Sequence, residues 1–189
     1  MEAVSGILSA FGLSASAGLN AYIPLLIVSL LAKFSNLIEL AKPWDALTSW
    51  WTIGVLIVLS LVEFFADKVP AVDHINDAIQ TFIRPTAGAI LFAASAQSVT
   101  EVHPVLSIIA GLLVAGSVHA VKSLAIRPAV TVATAGTGDA AVSVLEDAVS
   151  TVISVLAVVV PVLMAVILVL LVILVARWLS RRSKRKQAV

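Results

Sequence analysis

The chain has 189 residues, of which 60% are hydrophobic and only 12% are charged. Soluble domains are usually about 45–50% apolar and about 25% charged, so this composition excludes an ordinary soluble protein. We predict one all-α, polytopic membrane domain over residues 1–179, with no room for a soluble catalytic module. The sequence contains no cysteine, which excludes disulfides and thiolate metal sites.

The formal net charge of +1 hides a strongly basic C-terminus. Half of the twelve basic residues lie within 177–189, whereas acidic residues are in excess in the rest of the chain. Under the positive-inside rule this pattern predicts that residues 180–189 form a cytoplasmic tail, which can also contact anionic lipid. Nucleic-acid binding is a poor interpretation, because no groove-reading fold accompanies the tail.

The first apolar segment, residues 3–33, is too long for one straight crossing. As a helix it would reach about 46 Å, against about 30 Å for the hydrocarbon core. It is therefore either strongly tilted or broken between Gly18 and Pro24, since proline removes a backbone donor. Unwound backbone at membrane depth must be buried in protein or line a cavity, and Asn20 would lie there. Alternatively, the small residues 14–18 only allow close helix packing.

A loop over 34–49 leads to a second crossing at about 50–66, which begins with the interfacial residues Trp50 and Trp51. Glu63 and Asp67 lie one turn apart near its end, on one helical face. Residues 73–82 then predict a separate short helix, with Asp73 as its N-cap. The third crossing is expected at about 83–98, starting at the Arg84–Pro85 pair.

The fourth crossing is predicted from 103 to about 121, followed by Lys122 and Arg127. Residues 129–141 are rich in Thr, Gly and Ala, and Gly136 and Gly138 can adopt positive φ. This segment is too short to span and too apolar for an ordinary loop, so we predict a re-entrant turn. The last apolar stretch, about 140–179, changes at Pro161 to a uniformly aliphatic, lipid-facing helix.

A polar stripe at three- and four-residue spacing marks the start of this last stretch. It consists of Ser143, Glu146, Asp147, Ser150 and Ser154. For the serines alone we expect hydrogen bonds back onto their own helix. For the two carboxylates we favour a position in a pocket or pore over one at the membrane interface.

About five crossings with the C-terminus inside would leave four basic residues outside, against the positive-inside rule. These are Lys68, Arg84, Lys122 and Arg127. We expect that they are buried partners of the carboxylates instead of loop charges.

Three stretches resemble the domain-of-unknown-function 4126 family of small bacterial integral membrane proteins. They are VEFFADKVPAVDHINDAIQTFIRPTAG (62–88), GLNAYIPLL (18–26) and VHAVKSLAIRPAVT (118–131). The resemblance covers nearly the whole chain and implies a compact helical domain in the bacterial inner membrane. It brings no catalytic residue, substrate or cofactor with it.

Ionisable groups at membrane depth cost roughly 2.5–3.5 kcal/mol on insertion scales, so they mark a functional site. We favour a small transporter or channel for an ion or small polar solute, whose carboxylates and cations form the site. The candidate site residues are Asn20, Glu63, Asp67, Lys68, Asp73, His74, Asp77, Arg84, His119, Lys122, Arg127, Glu146 and Asp147.

Two alternatives stay open. A membrane enzyme acting on a lipid phosphate would use Arg84, Lys122 and Arg127 to hold phosphate oxygens, with His74 or His119 as nucleophile or acid. A structural scaffold subunit would use the same charges only as ion pairs. We assign no catalytic residue, no metal and no cofactor, and we expect a homodimer because so few crossings enclose a pathway poorly.

Overall fold

The computed structural model describes residues 2–67, 70–97 and 102–161, together with 163, 166, 169–170, 173–174 and 177. Side chains are described from residue 4 onward, except those of 70–75 and 97. These parts of the chain are mostly helical and contain no strand. The helices are α1 (Glu2–Leu19), α2 (Tyr22–Phe34), a 3-10 turn (Trp44–Thr48), α3 (Trp50–Ala66), α4 (Pro70–Gln97), α5 (Pro104–Val121), a π-helical turn (Lys122–Ile126), α6 (Arg127–Thr134) and α7 (Asp139–Val159).

The predicted break in the first segment is confirmed, because α1 ends at Leu19 and α2 begins at Tyr22. The chain also reverses there. Leu37, just after α2, lines a cavity together with Ser5 near the start of α1. Residues 3–33 therefore form a helical hairpin instead of one crossing, and the count of five crossings is not confirmed.

The division of 73–98 into a short helix and a crossing is wrong. Helix α4 runs without interruption for 28 residues and contains Pro85 in its interior. Proline in a helix costs one backbone hydrogen bond, about 3 kcal/mol, but burial of Ala87 and Leu91 offsets this cost. Because α4 already begins at Pro70, Asp73 is not its N-cap.

The re-entrant turn over 129–141 is also wrong. Helix α5 continues through the π-helical turn into α6, which ends only at Thr134. A tight turn then leads to α7, with Ala135 at φ 51° and Gly136 at φ 84°. Gly136 thus adopts the positive φ that its sequence allowed, whereas Gly138, at φ −85°, does not.

Helices α1, α4 and α5 touch through small residues. A Cβ added at Gly18 would lie 2.6 Å from the carbonyl oxygen of Ala115, and one at Gly88 would lie 2.9 Å from that of Gly111. Ser14 donates a 2.9 Å hydrogen bond to the same Gly111 carbonyl. Such close backbone approach is typical of helix pairs that pack without bulky side chains. The close-packing interpretation of residues 14–18 therefore holds alongside the break.

Helices α1 and α7 run antiparallel along a line of serines. Ser16 Oγ lies 2.8 Å from Ser150 Oγ and 2.7 Å from Ser154 Oγ, and Ser9 Oγ donates to the Ala157 carbonyl. Ser154 does bond back to Ser150 on its own helix, at 2.7 Å. The expectation that the serines bond back onto their own helix is wrong for Ser143 and Ser150, which donate to Asp67 and to the Ser16 carbonyl, because packed neighbours offer partners that periodicity cannot reveal.

The outer surfaces of α3, α5 and α7 are rich in exposed aliphatic and aromatic side chains. Two stretches within the described residues are long and apolar enough to cross a membrane, Pro104–Thr134 and Asp139–Val159. Three further helices are apolar but shorter: Val4–Leu19, Tyr22–Phe34 and Trp50–Ala66. Most of the segment after Pro161, for which we predicted a lipid-facing helix, lies outside the described residues.

Candidate functional site

Glu63 and Arg84 form a fully buried ion pair between α3 and α4. Arg84 Nη2 donates to Glu63 Oε1 at 2.9 Å, and the two side chains are 0% and 1% exposed. Arg84 also reaches two further groups through Nη1, which lies 3.2 Å from His119 Nδ1 and 4.0 Å from Asp77 Oδ1. One guanidinium therefore connects α3, α4 and α5.

Arg127, the first residue of α6, is the centre of a second group of ion pairs. Its Nη2 donates to Asp67 at 3.3 Å and to Glu146 at 3.1 Å. Its Nη1 donates to Asp77 at 3.3 Å. Ser143 adds a 3.1 Å hydrogen bond to the same Asp67 oxygen that Arg127 contacts. Three carboxylates, one just after α3 and one each from α4 and α7, thus share one guanidinium, which satisfies most of its donors.

The break between α1 and α2 is held by polar side chains from other helices. Lys122 Nζ donates to the carbonyl of Leu19, the last residue of α1, at 2.9 Å, and pairs with Glu146 at 2.8 Å. An ammonium group at a helix C-terminus is favourable because the free carbonyls carry partial negative charge.

Asn20 caps the other end of the break, where α2 begins. Its Oδ1 accepts from the backbone N–H groups of Tyr22 and Ile23 at 3.0 Å each, which satisfies free donors at the start of α2. Its Nδ2 donates to Asp147 Oδ1 at 2.9 Å. The unwound residue is therefore connected directly to α7.

We call the joined ion pairs the ionic cluster. It consists of Glu63, Asp67, Asp77, Arg84, His119, Lys122, Arg127 and Glu146. With a neutral histidine it holds four carboxylates and three cations, a formal charge of −1. Exposure falls steeply across it, from 22% for the Asp77 side chain to 10% for Arg127 and 0% for Arg84. The cluster is open to solvent at Asp77 and closed at Glu63.

Several atoms inside the cluster and beside it have no hydrogen-bond partner. Glu63 Oε2, Asp77 Oδ1 and Gln80 Oε1 are buried acceptors of this kind, and Arg84 Nε is a buried donor. Gln80 lies one turn before Arg84 on α4, and its side chain contacts Tyr22 of α2. Buried polar groups are nearly always paired, so unpaired atoms in one small region require an explanation.

The structure brings together ten of the thirteen predicted site residues. Eight belong to the ionic cluster, and Asn20 and Asp147 form a pair beside it. The other three lie outside what the structure describes: Lys68 entirely, and the side chains of Asp73 and His74. Among the described side chains, no three His, Cys, Asp or Glu residues are grouped so that they could hold a metal ion.

Four contacting residues were missing from the predicted set: Asn76, Gln80, Thr81 and Ser143. Asn76 donates to Asp67 at 2.6 Å, and Thr81 lies 3.1 Å from His119 Nε2. Gln80, Thr81 and Ser143 are each three or four residues from a predicted site residue on the same helix, which is a signal that the sequence did contain.

The buried cations explain the conflict with the positive-inside rule. Arg84, Lys122 and Arg127 are 0%, 1% and 9% exposed and each pairs with a carboxylate. They are therefore buried partners, as the sequence led us to expect, and do not count as loop charges. Lys68, the fourth, is outside the described residues.

A family model for a domain of unknown function, DUF4126, matches residues 7–181. The chain belongs to the DUF4126 family. This match confirms the resemblance drawn from the three sequence stretches, and it covers the ionic cluster and the break between α1 and α2. Neither the curated proteins nor the solved structures gave a significant match. The bacterial inner membrane and the homodimer stay predictions for this DUF4126 protein.

Proposed function

We propose that this DUF4126 protein is a small membrane transporter or channel for an ion or small polar solute, with the ionic cluster as its binding site. The observation that carries the proposal is the ionic cluster itself, buried beside the break between α1 and α2. Charged groups at membrane depth are the usual material of ion sites and proton relays. Interrupted helices at such sites offer backbone groups to the solute.

A membrane location is supported by the surface and by the depth of the cluster. The exposed apolar faces of α3, α5 and α7 match a lipid environment, and Trp50 and Trp51 lie exposed at one end of α3. At 1.5 Å per residue, Glu63 lies about 20 Å along α3 from Trp50. This distance supports a position of the cluster inside a hydrocarbon core of about 30 Å, nearer to the opposite face. The basic tail supports a cytoplasmic C-terminus in a bacterial inner membrane.

The unpaired atoms favour transport over a purely structural role. A scaffold gains most from a network in which every buried donor and acceptor is satisfied, because each unpaired group costs about 1–3 kcal/mol. Here Glu63 Oε2 and Gln80 Oε1 are buried without a donor. They are available to a bound ion, a proton or a polar solute that enters from the open side at Asp77.

The test is charge movement in proteoliposomes on a solid-supported membrane. Currents would be recorded on rapid exchange of Na⁺, K⁺, Cl⁻, phosphate, neutral amino acids or protons. We expect a current with at least one of these probes, and its loss in Glu63→Gln and in Arg84→Gln. Matched controls are Asp45→Asn and Lys42→Gln, because both residues are exposed and distant in sequence from the cluster.

Two results would contradict the proposal. One is the absence of a protein-dependent current for every probe. The other is an unchanged current in both cluster variants that remain folded, as judged by thermal unfolding and gel filtration. Loss of stability in the variants without any transport in the parent protein would instead support a scaffold.

A further inference from the structure

The contacts of His119 define its protonation state. Arg84 Nη1 lies 3.2 Å from Nδ1, and a guanidinium can only donate, so Nδ1 must carry a lone pair. The Thr81 hydroxyl donates its single proton to the Asp77 carbonyl at 2.9 Å. At 3.1 Å from Nε2, Thr81 can therefore only accept from the imidazole. The hydrogen-bond network thus assigns a neutral imidazole with its proton on Nε2.

A proton added to this imidazole would have to bind Nδ1. Its new N–H would then face the N–H of Arg84 at 3.2 Å, so two donors and two positive charges would oppose each other. Arg84 has another acceptor within reach, because Asp77 Oδ1 lies 4.0 Å from Nη1 and has no hydrogen-bond partner. Protonation therefore favours an exchange in which Arg84 leaves His119 for Asp77.

This exchange would affect the ion pairs of both guanidinium groups in the ionic cluster. Arg84 also holds Glu63, and Asp77 also holds Arg127, which pairs with Asp67 and Glu146. The charged groups that face His119 are Arg84 and Asp77 from α4, Lys122 and Arg127 from its own continuing helix, and Glu63 through Arg84 from α3. With a neutral histidine the ionic cluster as a whole, which also includes Asp67 and Glu146, has a formal charge of −1, and one added proton would cancel it.

We propose that the species taken up by the ionic cluster is a proton, bound at Nδ1 of His119, and that Arg84 transmits its arrival to Glu63 and Asp77. The inference rests on the proposed transport function and names its ion. One N–H bond forms at Nδ1, the Arg84–His119 hydrogen bond breaks, and the incoming proton is released from the same atom when Arg84 returns. A metal cation is a poor alternative, because no three His, Asp or Glu side chains among those described are grouped so that they could hold one.

Proton movement would be measured in proteoliposomes that contain the pH-sensitive dye pyranine, with a potassium gradient and valinomycin to set the potential. We expect His119→Gln to reduce the protein-dependent proton flux by at least tenfold. His103→Asn is the matched control, because His103 is exposed and only caps α5, a role that asparagine performs well. The control should keep the parental flux. A parental flux in His119→Gln would overturn the proposal.

A spectroscopic measurement keeps the proposal testable if His119→Gln does not fold. The full chain, labelled with ¹⁵N at histidine and arginine, would be examined by solid-state NMR in lipid bilayers, with Thr81→Val to identify the His119 signals. We expect a neutral, Nε2-protonated ring near neutral pH, and simultaneous shifts of Nδ1 and an arginine side chain on acidification. A ring that is charged or Nδ1-protonated near neutral pH would overturn the proposal.

The outcomes separate this inference from the proposed function. A current for another solute without proton flux would leave transport standing and reject the proton. Proton flux that Glu63→Gln abolishes but His119→Gln does not would reject His119 as the acceptor. No current for any probe, protons included, would reject both.

Discussion

The molecule is held together in opposite ways around Ser14 of α1 and at the break that follows this helix. Around Ser14, helices α1, α4 and α5 approach so closely that Gly88 and Gly111 leave no room for a Cβ. At Leu19 and the break that follows it, long charged side chains make contacts, such as that of Lys122 with the Leu19 carbonyl. The first kind of contact has one arrangement, because close-packed backbones cannot shift without a clash.

The second kind of contact offers alternative partners. Arg84 has three acceptors within 4.0 Å, and Asp77 lies between two guanidinium groups. A site with alternative partners can change its pairing when an ion or a proton arrives. The close-packed region around Ser14 keeps the helices in place. The structure therefore separates the close-packed region around Ser14 from the charged region beside the break, and three substitutions would test this separation.

The largest loss of stability is expected where one cation pairs with several carboxylates. Arg127→Met would leave Asp67, Asp77 and Glu146 without their shared partner, and breaking a buried pair costs about 3–5 kcal/mol. We expect a corresponding decrease in the free energy of unfolding, measured by denaturant titration in mild detergent. The double variant Arg127→Met/Glu146→Gln should recover part of the loss. Lys42→Met, an exposed control, should change stability little.

A smaller but clear loss of stability is expected where α1, α4 and α5 pack closely. In Gly111→Ala the new Cβ would lie 2.6 Å from Ala89 Cα, so α4 and α5 must separate. Overpacking of this kind typically costs about 1–3 kcal/mol. Gly54→Ala is the control, because nothing lies within 4 Å of an added Cβ there. Equal thermal stability of the two variants would show that the close contact is not needed.

The smallest loss of stability is expected at the break between α1 and α2. Asn20→Ala removes the acceptor for two N–H groups of α2 and the donor to Asp147, and loss of a helix cap costs about 0.5–2 kcal/mol. Asn36→Ala, at an exposed loop position, is the control. We expect Asn20→Ala also to increase amide hydrogen exchange at Tyr22 and Ile23 without affecting α5. Unchanged exchange at these two residues would mean that Asn20 does not hold the break.

Some features of the fold and of the site could be read from residues that are close in the chain. The break at Gly18–Pro24 was visible because proline and glycine act on their own turn. The inward face of α7 was visible because Ser143, Glu146 and Ser150 repeat with the period of a helix. The burial of Arg84, Lys122 and Arg127 followed from the cost of placing charge in an apolar chain.

Other features depended on contacts between distant segments. The continuity of α4 through Pro85 was missed, because packing against α1 and α5 outweighs the local penalty of a proline. The reversal after α1 and the partner of Lys122, a backbone carbonyl, leave no trace in side-chain patterns. The pairing of Ser16 with Ser150 depends in the same way on which helices become neighbours.

By itself, then, the sequence determined that the chain is built of apolar helices, where the first segment breaks and that its acids and bases are buried together. Local turns and helical periodicity are properties of neighbouring residues, and they need no knowledge of the rest of the molecule. Only the tertiary structure decided that Arg84 holds Glu63 and His119 and that Arg127 serves three carboxylates. Those pairings depend on how the small residues of α1, α4 and α5 align the helices, and that alignment is a property of the packed bundle.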